Sequence, residues 1–378
     1  MNTDVWDAVV IGAGPAGSLV SQRLATRGYR ILVIDKEQFP RPKVCGGCLG
    51  AVGATALREA SLGLGELGVD SVPLQRVSIH SGDRQATLPL SGRRAIHRCQ
   101  FDARLLDQAV RYGTQTLIGS RAKLGCVREG SRDVEIAASA DDSRTVRARL
   151  VITAAGLGAD RLLPSDERTV TVRRSNGRVG AGATVAACEP YGDASGVTMA
   201  CGRGGEGYVG IAPLPGEQLD IAAAFDPRAV SDAGGTAPLA AKILRDCDLP
   251  VPEQLLESDW RATPTLTQRP TRLGAERVLL IGDAAGYVEP FTGEGIGWAL
   301  RSALEVESLA VRAIDCWQPS TVDAWTTQHA ATLGRWQRRC RAVCNLIGGR
   351  WATPWVVGAL ASAPWLARPV LRQIDPAA

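Results

Sequence analysis

The chain has 378 residues, of which 45% are hydrophobic and 22% charged. That composition belongs to an ordinary globular protein and excludes a disordered chain, a collagen-like repeat or a multi-span membrane protein. The 43 Lys and Arg nearly balance the 39 Asp and Glu, for a net charge of +4 with no block of five like charges. Nucleic-acid binding is therefore not indicated. The length is about twice that of a usual single domain, so two or three lobes are expected. The ten Cys are irregularly spaced, which suits reduced, packed thiols rather than a disulfide framework. Met1 to Trp6 carries no basic or apolar leader pattern, and a cytoplasmic location is expected.

Ala8-Val9-Val10-Ile11 reads as a doubly buried parallel strand. It runs into Gly12-Ala-Gly-Pro-Ala-Gly17, after which Ala16, Leu19, Val20 and Leu24 recur at helical spacing until Gly28. Ile31 to Ile34 is a second buried strand, and Asp35 ends it. In such a β-α-β unit Gly12 permits the tight turn and Gly14 lets the backbone approach a pyrophosphate. Gly17 lets helix and strand pack closely, while Pro15 and Ala16 open the helix whose N–H groups and dipole favour the anion. Asp35 is placed to accept hydrogen bonds from an adenosine ribose. The unit predicts dinucleotide binding.

Farther on, Arg277 to Ile281 reads as another buried strand. It leads into Gly282-Asp-Ala-Ala-Gly286, then Pro290 to Ile296, then a helix. Asp283 at a strand end suits a polyol chain. The amides around Gly293, Gly295 and Ile296 suit a ring that accumulates negative charge. Reduced flavin is such a ring and a nicotinamide is not, so FAD is the expected cofactor.

Together these segments resemble the p-hydroxybenzoate hydroxylase-type FAD family, in its branch of geranylgeranyl reductases, flavin halogenases and tailoring oxidoreductases. The matching residues are Gly12 to Gly17, Phe39-Pro-Arg-Pro-Lys-Val-Cys-Gly-Gly47, Arg98 with Phe101-Asp102, Gly282 to Gly286, and Pro290 to Ile296. They cover roughly residues 5–315 in the family's order. The resemblance implies a Rossmann-like α/β FAD-binding domain assembled from 1–75, 96–164 and 275–315. An antiparallel β-sheet substrate domain would take 76–95 and 165–274, and a C-terminal helical cap 316–378. It also implies that Asp283 binds the ribityl or pyrophosphate portion, that Pro290 to Ile296 line the flavin ring, and that Arg98 contacts the phosphates. Lys36 and Arg41, beside Asp35, join the cofactor set. The family's middle Asp-Gly pair is replaced by Ala154-Ala-Gly156. Gly156 still permits packing near the adenosine, but the lost carboxylate puts direct NADPH use in doubt. The electron source is left between NADPH, NADH and a partner flavin reductase.

Cys45-Gly46-Gly47-Cys48 lies, by the same resemblance, against the flavin ring, where packing, a redox dithiol and covalent flavin attachment or metal binding are all open. Tyr208 would orient a substrate or simply pack in its strand, and Gly210 stands where reductases of this branch carry Trp, leaving more room over the flavin. The halogenase Trp-x-Trp-x-Ile-Pro signature is absent. The first expectation is a monooxygenase acting on a phenolic or apolar small molecule through a flavin C4a-hydroperoxide, with which a substrate lobe sparse in titratable residues is compatible. Reduction of prenyl C=C bonds is the alternative, followed by a dehydrogenase or oxidase, with a non-catalytic flavoprotein last. Seven of the nine Trp lie between 298 and 365, interleaved with Arg335, Arg338, Arg339, Arg341, Arg350, Arg368 and Arg372. The region reads as an ordinary helical cap, or as one that closes a tunnel or touches a membrane surface.

Overall fold

The computed structural model describes residues 5–137, 143–163, 167, 171–173, 177–192, 195–289, 291–347 and 352–368. The first apolar run forms the strand Val5–Ile11, paired in parallel with Ile31–Asp35 on one side and Ser143–Thr153 on the other. Gln115–Ile118 and Val278–Leu280 extend these to five parallel strands, and the short strand Gly274–Ala275 closes one edge antiparallel. Both faces are covered, which is why the strands are apolar throughout. Ala8 and Val10 pack among the helices Pro15–Thr26, Arg98–Arg111 and Gly295–Asp315, whereas Val9 and Ile11 pack against an antiparallel meander, Arg121–Thr153.

The second sheet has eight strands. Its hairpin strands Gly207–Leu214 and Gln218–Phe225 sit at the centre, flanked by Val179–Ala186 and Arg261–Thr265 on one side. On the other side come Gly196–Cys201, Ser71–Ser81, Arg84–Ile96 and the two-residue strand Cys48–Leu49. The antiparallel expectation needs one amendment, because Ser71–Ser81 pairs with Gly196–Cys201 in parallel. These strands come from distant chain segments, so no hairpin forces them antiparallel. The strand Ser71–Ser81 starts inside the 1–75 segment, and Cys48–Leu49 pairs with Arg94 and Ala95, so this sheet reaches as far as the Cys-Gly-Gly-Cys loop.

Period-two alternation divides the central strand. Leu219, Ile221 and Phe225 bury against the helix Thr236–Arg245, while Asp220 and Ala222 face the other way. The C-terminal helices are Thr321–Ala331, Leu333–Ile347 and Ala352–Ser362. Trp325 anchors them, fully buried with its indole N–H donating to Leu280 O at 2.8 Å. Among the described residues no helix is long and apolar enough to cross a membrane.

Candidate active site

A cavity of about 1310 Å³ lies between the two sheets and is lined from both. That exceeds the usual size of a single small-ligand pocket and leaves room for a dinucleotide and a second molecule.

At one end the glycine turn takes the geometry its residues dictate. Gly12 adopts φ +106°, and a Cβ there would strike Ala154 O. A Cβ on Gly17 would strike Gly12 O, so Gly17 serves helix–strand packing and does not line the cavity. Over Gly14 lies only the Arg41 guanidinium, 3.6 Å from where a Cβ would stand. Asp35 Oδ2 accepts from Ala13 N at 2.7 Å and Oδ1 from Glu37 N at 2.9 Å. The carboxylate therefore fixes the turn as well as facing the cavity. Arg41 stacks on Phe39 and reaches Asp102 at 3.7 Å and Asp35 at 4.0 Å, while its Nε is buried without a hydrogen-bond partner. Arg98 forms a two-bond fork with Asp102, at 3.0 and 2.9 Å, and hydrogen-bonds Cys45. Lys36, by contrast, stands at the solvent rim beside Glu37.

Lys43 was not singled out in the sequence as a site residue, yet it lines the cavity between Gly156 and Asp283. Its Nζ is 3.4 Å from where a Cβ on Gly156 would stand. Burial pushes its pKa down and Asp283 opposes that, while burial pushes Asp283 up and Lys43 opposes it. Arg41, Lys43 and Arg98 therefore offer positive charge around a glycine turn and a helix N-terminus, the donor set that suits a pyrophosphate. Their carboxylate partners hold them in place before any anion arrives.

The flavin end is set by a second missed feature. Arg93 and Glu294, both nearly buried, form an ion pair at 2.7 Å, and Arg93 also donates to Thr292 O at 2.7 Å. The pair ties the loop before the helix Gly295–Asp315 to the substrate sheet. Gly293, at φ +73°, sits against Cys48, and Gly293, Gly295 and Ile296 line the cavity. Gly282 adopts φ +58°, faces the cavity beside Asp283, and its N–H donates to Ser302 Oγ at 3.0 Å. Pro290 lies outside the described residues.

Cys45, Gly46 and Cys48 line the cavity, and Gly47 lies behind them at φ +58°. Both cysteines are free thiols. Burial pushes the Cys48 thiol up to about 12, against the pull of Arg93. A thiol pushed up this far is a poor nucleophile at neutral pH. Tyr208 is buried, meets Phe291 edge-on at 5.0 Å and lies under the Arg178 guanidinium. Burial raises its pKa well above that of an ordinary phenol. The extra room expected at Gly210 is partly filled, since a Cβ there would stand 2.9 Å from Met199 Sδ.

A third missed residue is Asp220, in the strand Gln218–Phe225. It lines the cavity opposite Gly46 and Gly47.

The fold and site define a flavoprotein-type dinucleotide cleft under a substrate sheet. The chain belongs to the FAD binding domain family, whose profile matches residues 5–309, and FAD is its cofactor. It is 28% identical over 337 residues to the menaquinone reductase of Mycobacterium tuberculosis H37Rv, covering 82% of this chain and 77% of that one. It is 24% identical over 349 residues to digeranylgeranylglycerophospholipid reductase 3 of Methanosphaera stadtmanae, covering 83% and 79%. In fold it is similar to a geranylgeranyl bacteriochlorophyll reductase-like protein of Thermoplasma acidophilum, with TM-score 0.78, 17% identity and coverage of 95% and 91%. The flavin-dependent brominase Bmp2 has TM-score 0.74, 16% identity and coverage of 98% and 93%. The chain is an FAD-dependent oxidoreductase.

Proposed function

We propose that the protein reduces a carbon–carbon double bond in a long apolar, prenyl-type substrate. The observation that carries this is the wall of the cavity beyond Gly46. It includes Val77, Leu88, Val197 and Met199 from the sheet and Val356 and Leu360 from the C-terminal helix. A chain of isoprene units fits such a wall, whereas a small phenol would leave most of it empty. Two relatives carry the names menaquinone reductase and digeranylgeranylglycerophospholipid reductase 3. A substrate lobe sparse in titratable groups is compatible with a hydroxylase, whereas an unpaired carboxyl on the cavity face, Asp220, suits a reaction that needs a proton.

Gly12, Gly14, Arg41, Lys43 and Arg98 would hold the pyrophosphate, and Asp35 and Asp283 the hydroxyl-bearing parts. The loop Thr292–Ile296, pinned by Arg93, would cover the ring. Bound FAD would supply the hydride. The substrate sheet and the cap exclude water and orient the chain over the ring.

The cap also turns Trp355, Trp365 and Leu366 outward, 72%, 61% and 44% exposed. Val356, Ala359, Leu360 and Leu366 from the same segments line the cavity. A lipid bilayer that holds the substrate is the partner this arrangement fits.

The test is anaerobic mixing of the dithionite-reduced, FAD-loaded protein with a prenylated quinone. Return of the oxidised flavin band, with a product heavier by two hydrogens, supports the reading. Reoxidation only when oxygen is admitted, with a hydroxylated product, replaces it with the monooxygenase.

A further inference from the structure

Asp220 sits on the cavity face of the strand Gln218–Phe225, with Ala222 as its neighbour on that face. The Cys45–Cys48 loop packs directly on this face. A Cβ on Gly46 would stand 3.7 Å from Ala222 Cβ, and one on Gly47 would stand 3.0 Å from Asp220 Oδ2. The loop's glycines thus let its backbone lie against the carboxyl, and they leave one acid between the flavin-facing loop and the apolar substrate wall. Among the described residues no hydrogen bond or ion pair reaches this carboxyl. Other carboxylates of the cavity are engaged, Asp102 by Arg98, Asp35 by Ala13 and Glu37, and Glu294 by Arg93, while Asp283 has Lys43 as its charged neighbour.

The charged and titratable groups around it are few. Arg98, at the start of the helix Arg98–Arg111, already carries Asp102 and Cys45. Cys48, on the loop itself, is held as a thiol, and the Arg93–Glu294 pair lies beyond it. His97 hydrogen-bonds Pro215 O at 3.0 Å, at the end of the adjoining strand. Burial pushes the Asp220 carboxyl up to about 8, and the more distant Arg98 only partly opposes it. The carboxyl faces the cavity rather than bulk water, so it is reachable by a ligand and still poorly hydrated.

We propose that Asp220 is the proton donor of the reaction, a catalytic residue that meets the substrate opposite the Cys-Gly-Gly-Cys loop. The inference rests on the reductase reading. In the step, the π bond of the substrate breaks and one carbon takes the hydride that bound reduced flavin supplies. Its neighbour forms a C–H bond with the proton leaving Asp220, and the resulting carboxylate recovers a proton from water. Two electrons pass from flavin to substrate and the charges balance. A carboxylic acid that is neutral at pH 7 suits general acid catalysis because both its protonation state and its driving force are right.

The experiment compares wild type with Asp220→Asn and Asp220→Glu as FAD-loaded proteins, with an unchanged flavin spectrum as the check on folding. The first measurement is an infrared pH titration of the protonated-carboxyl band, which needs no turnover. The expected result is a band that disappears near pH 8 in wild type and is absent in Asp220→Asn. The second is single-turnover oxidation of the dithionite-reduced protein by a prenylated quinone without oxygen. The rate is expected to fall as pH rises through about 8 in wild type. In Asp220→Asn it falls by about a hundredfold or more and loses that pH dependence, and Asp220→Glu restores part of it. Equal rates and pH profiles in wild type and Asp220→Asn overturn the proton-donor role while leaving the reductase reading intact, as does a band that titrates in the ordinary carboxylate range. A wild-type protein that never reduces the quinone overturns both.

Discussion

The two ends of the cavity are built on opposite electrostatic principles. At the cofactor end, Arg41, Lys43 and Arg98 stand among Asp35, Asp102 and Asp283, and the principal contacts are paired and directional. At the substrate end the wall is apolar and one carboxyl, Asp220, stands without a partner. The first arrangement suits a permanent, highly charged ligand, because charges fixed in advance need little reorganisation when the anion binds. The second suits a transient hydrophobic ligand and a proton that must be given away, since a carboxyl held by an ion pair would not carry one at pH 7.

The comparison is broken most severely by removing the glycine geometry of the cofactor end. Gly17→Val places side-chain atoms into Gly12 O, and over-packing of this kind costs about 1–3 kcal/mol or more. The purified variant is expected to carry no flavin, read from the protein-to-flavin absorbance ratio.

Next is the pair joining the two ends. Glu294→Gln leaves Arg93 buried and uncompensated, with an expected loss of about 3–5 kcal/mol of stability by thermal unfolding. Arg93→Met with Glu294→Leu should recover most of that loss, because an apolar pair leaves no stranded charge.

Lys43→Met tests whether the missed cation belongs to the cofactor end. A lost charge-assisted contact is worth about 1.5–3 kcal/mol, so FAD affinity should fall about tenfold or more by fluorescence titration. Because burial lowers the Lys43 pKa in the free protein, wild-type affinity should also weaken as pH rises through that value, and the variant's should not.

Asp220 separates the ends in stability as well as in turnover. Folding raises its pKa from the ordinary carboxylate range to about 8, because the carboxyl is buried. The neutral form therefore stabilises the fold most below the unfolded value, and that stability is lost as pH rises toward 8. The melting-temperature advantage of Asp220→Asn over wild type should grow across this window and level off above it.

The smallest effect concerns the outer surface of the cap. Trp355→Ser with Trp365→Ser should leave stability within about 0.5 kcal/mol per site, with Arg84 losing its stacking partner on Trp355. Co-sedimentation with anionic vesicles should fall several-fold, and unchanged vesicle binding would remove the bilayer from the proposal.

The β-α-β unit, its glycines and Asp35 were legible because the constraints on them are local. A positive φ, a close helix–strand contact and a strand-end carboxylate all fall within one stretch of chain. The parallel pairing of Ser71–Ser81 with Gly196–Cys201 was not legible, because nothing in either strand names a partner more than a hundred residues away. Nor does the sequence of the strand Gln218–Phe225 reveal which of its faces meets the cavity. Met199 beside Gly210 shows the same limit, since an absent side chain creates room only if no neighbour fills it.

What the sequence determined by itself is the cofactor class. The demands of a pyrophosphate and an anionic ring are met by short runs of glycine, carboxylate and helix start, which survive as patterns. What only the tertiary structure decided is which ionisable groups face one another. Lys43 against Asp283, Arg93 against Glu294, and Asp220 facing the glycine loop come from segments far apart in the chain, and burial and charge act through space rather than along sequence.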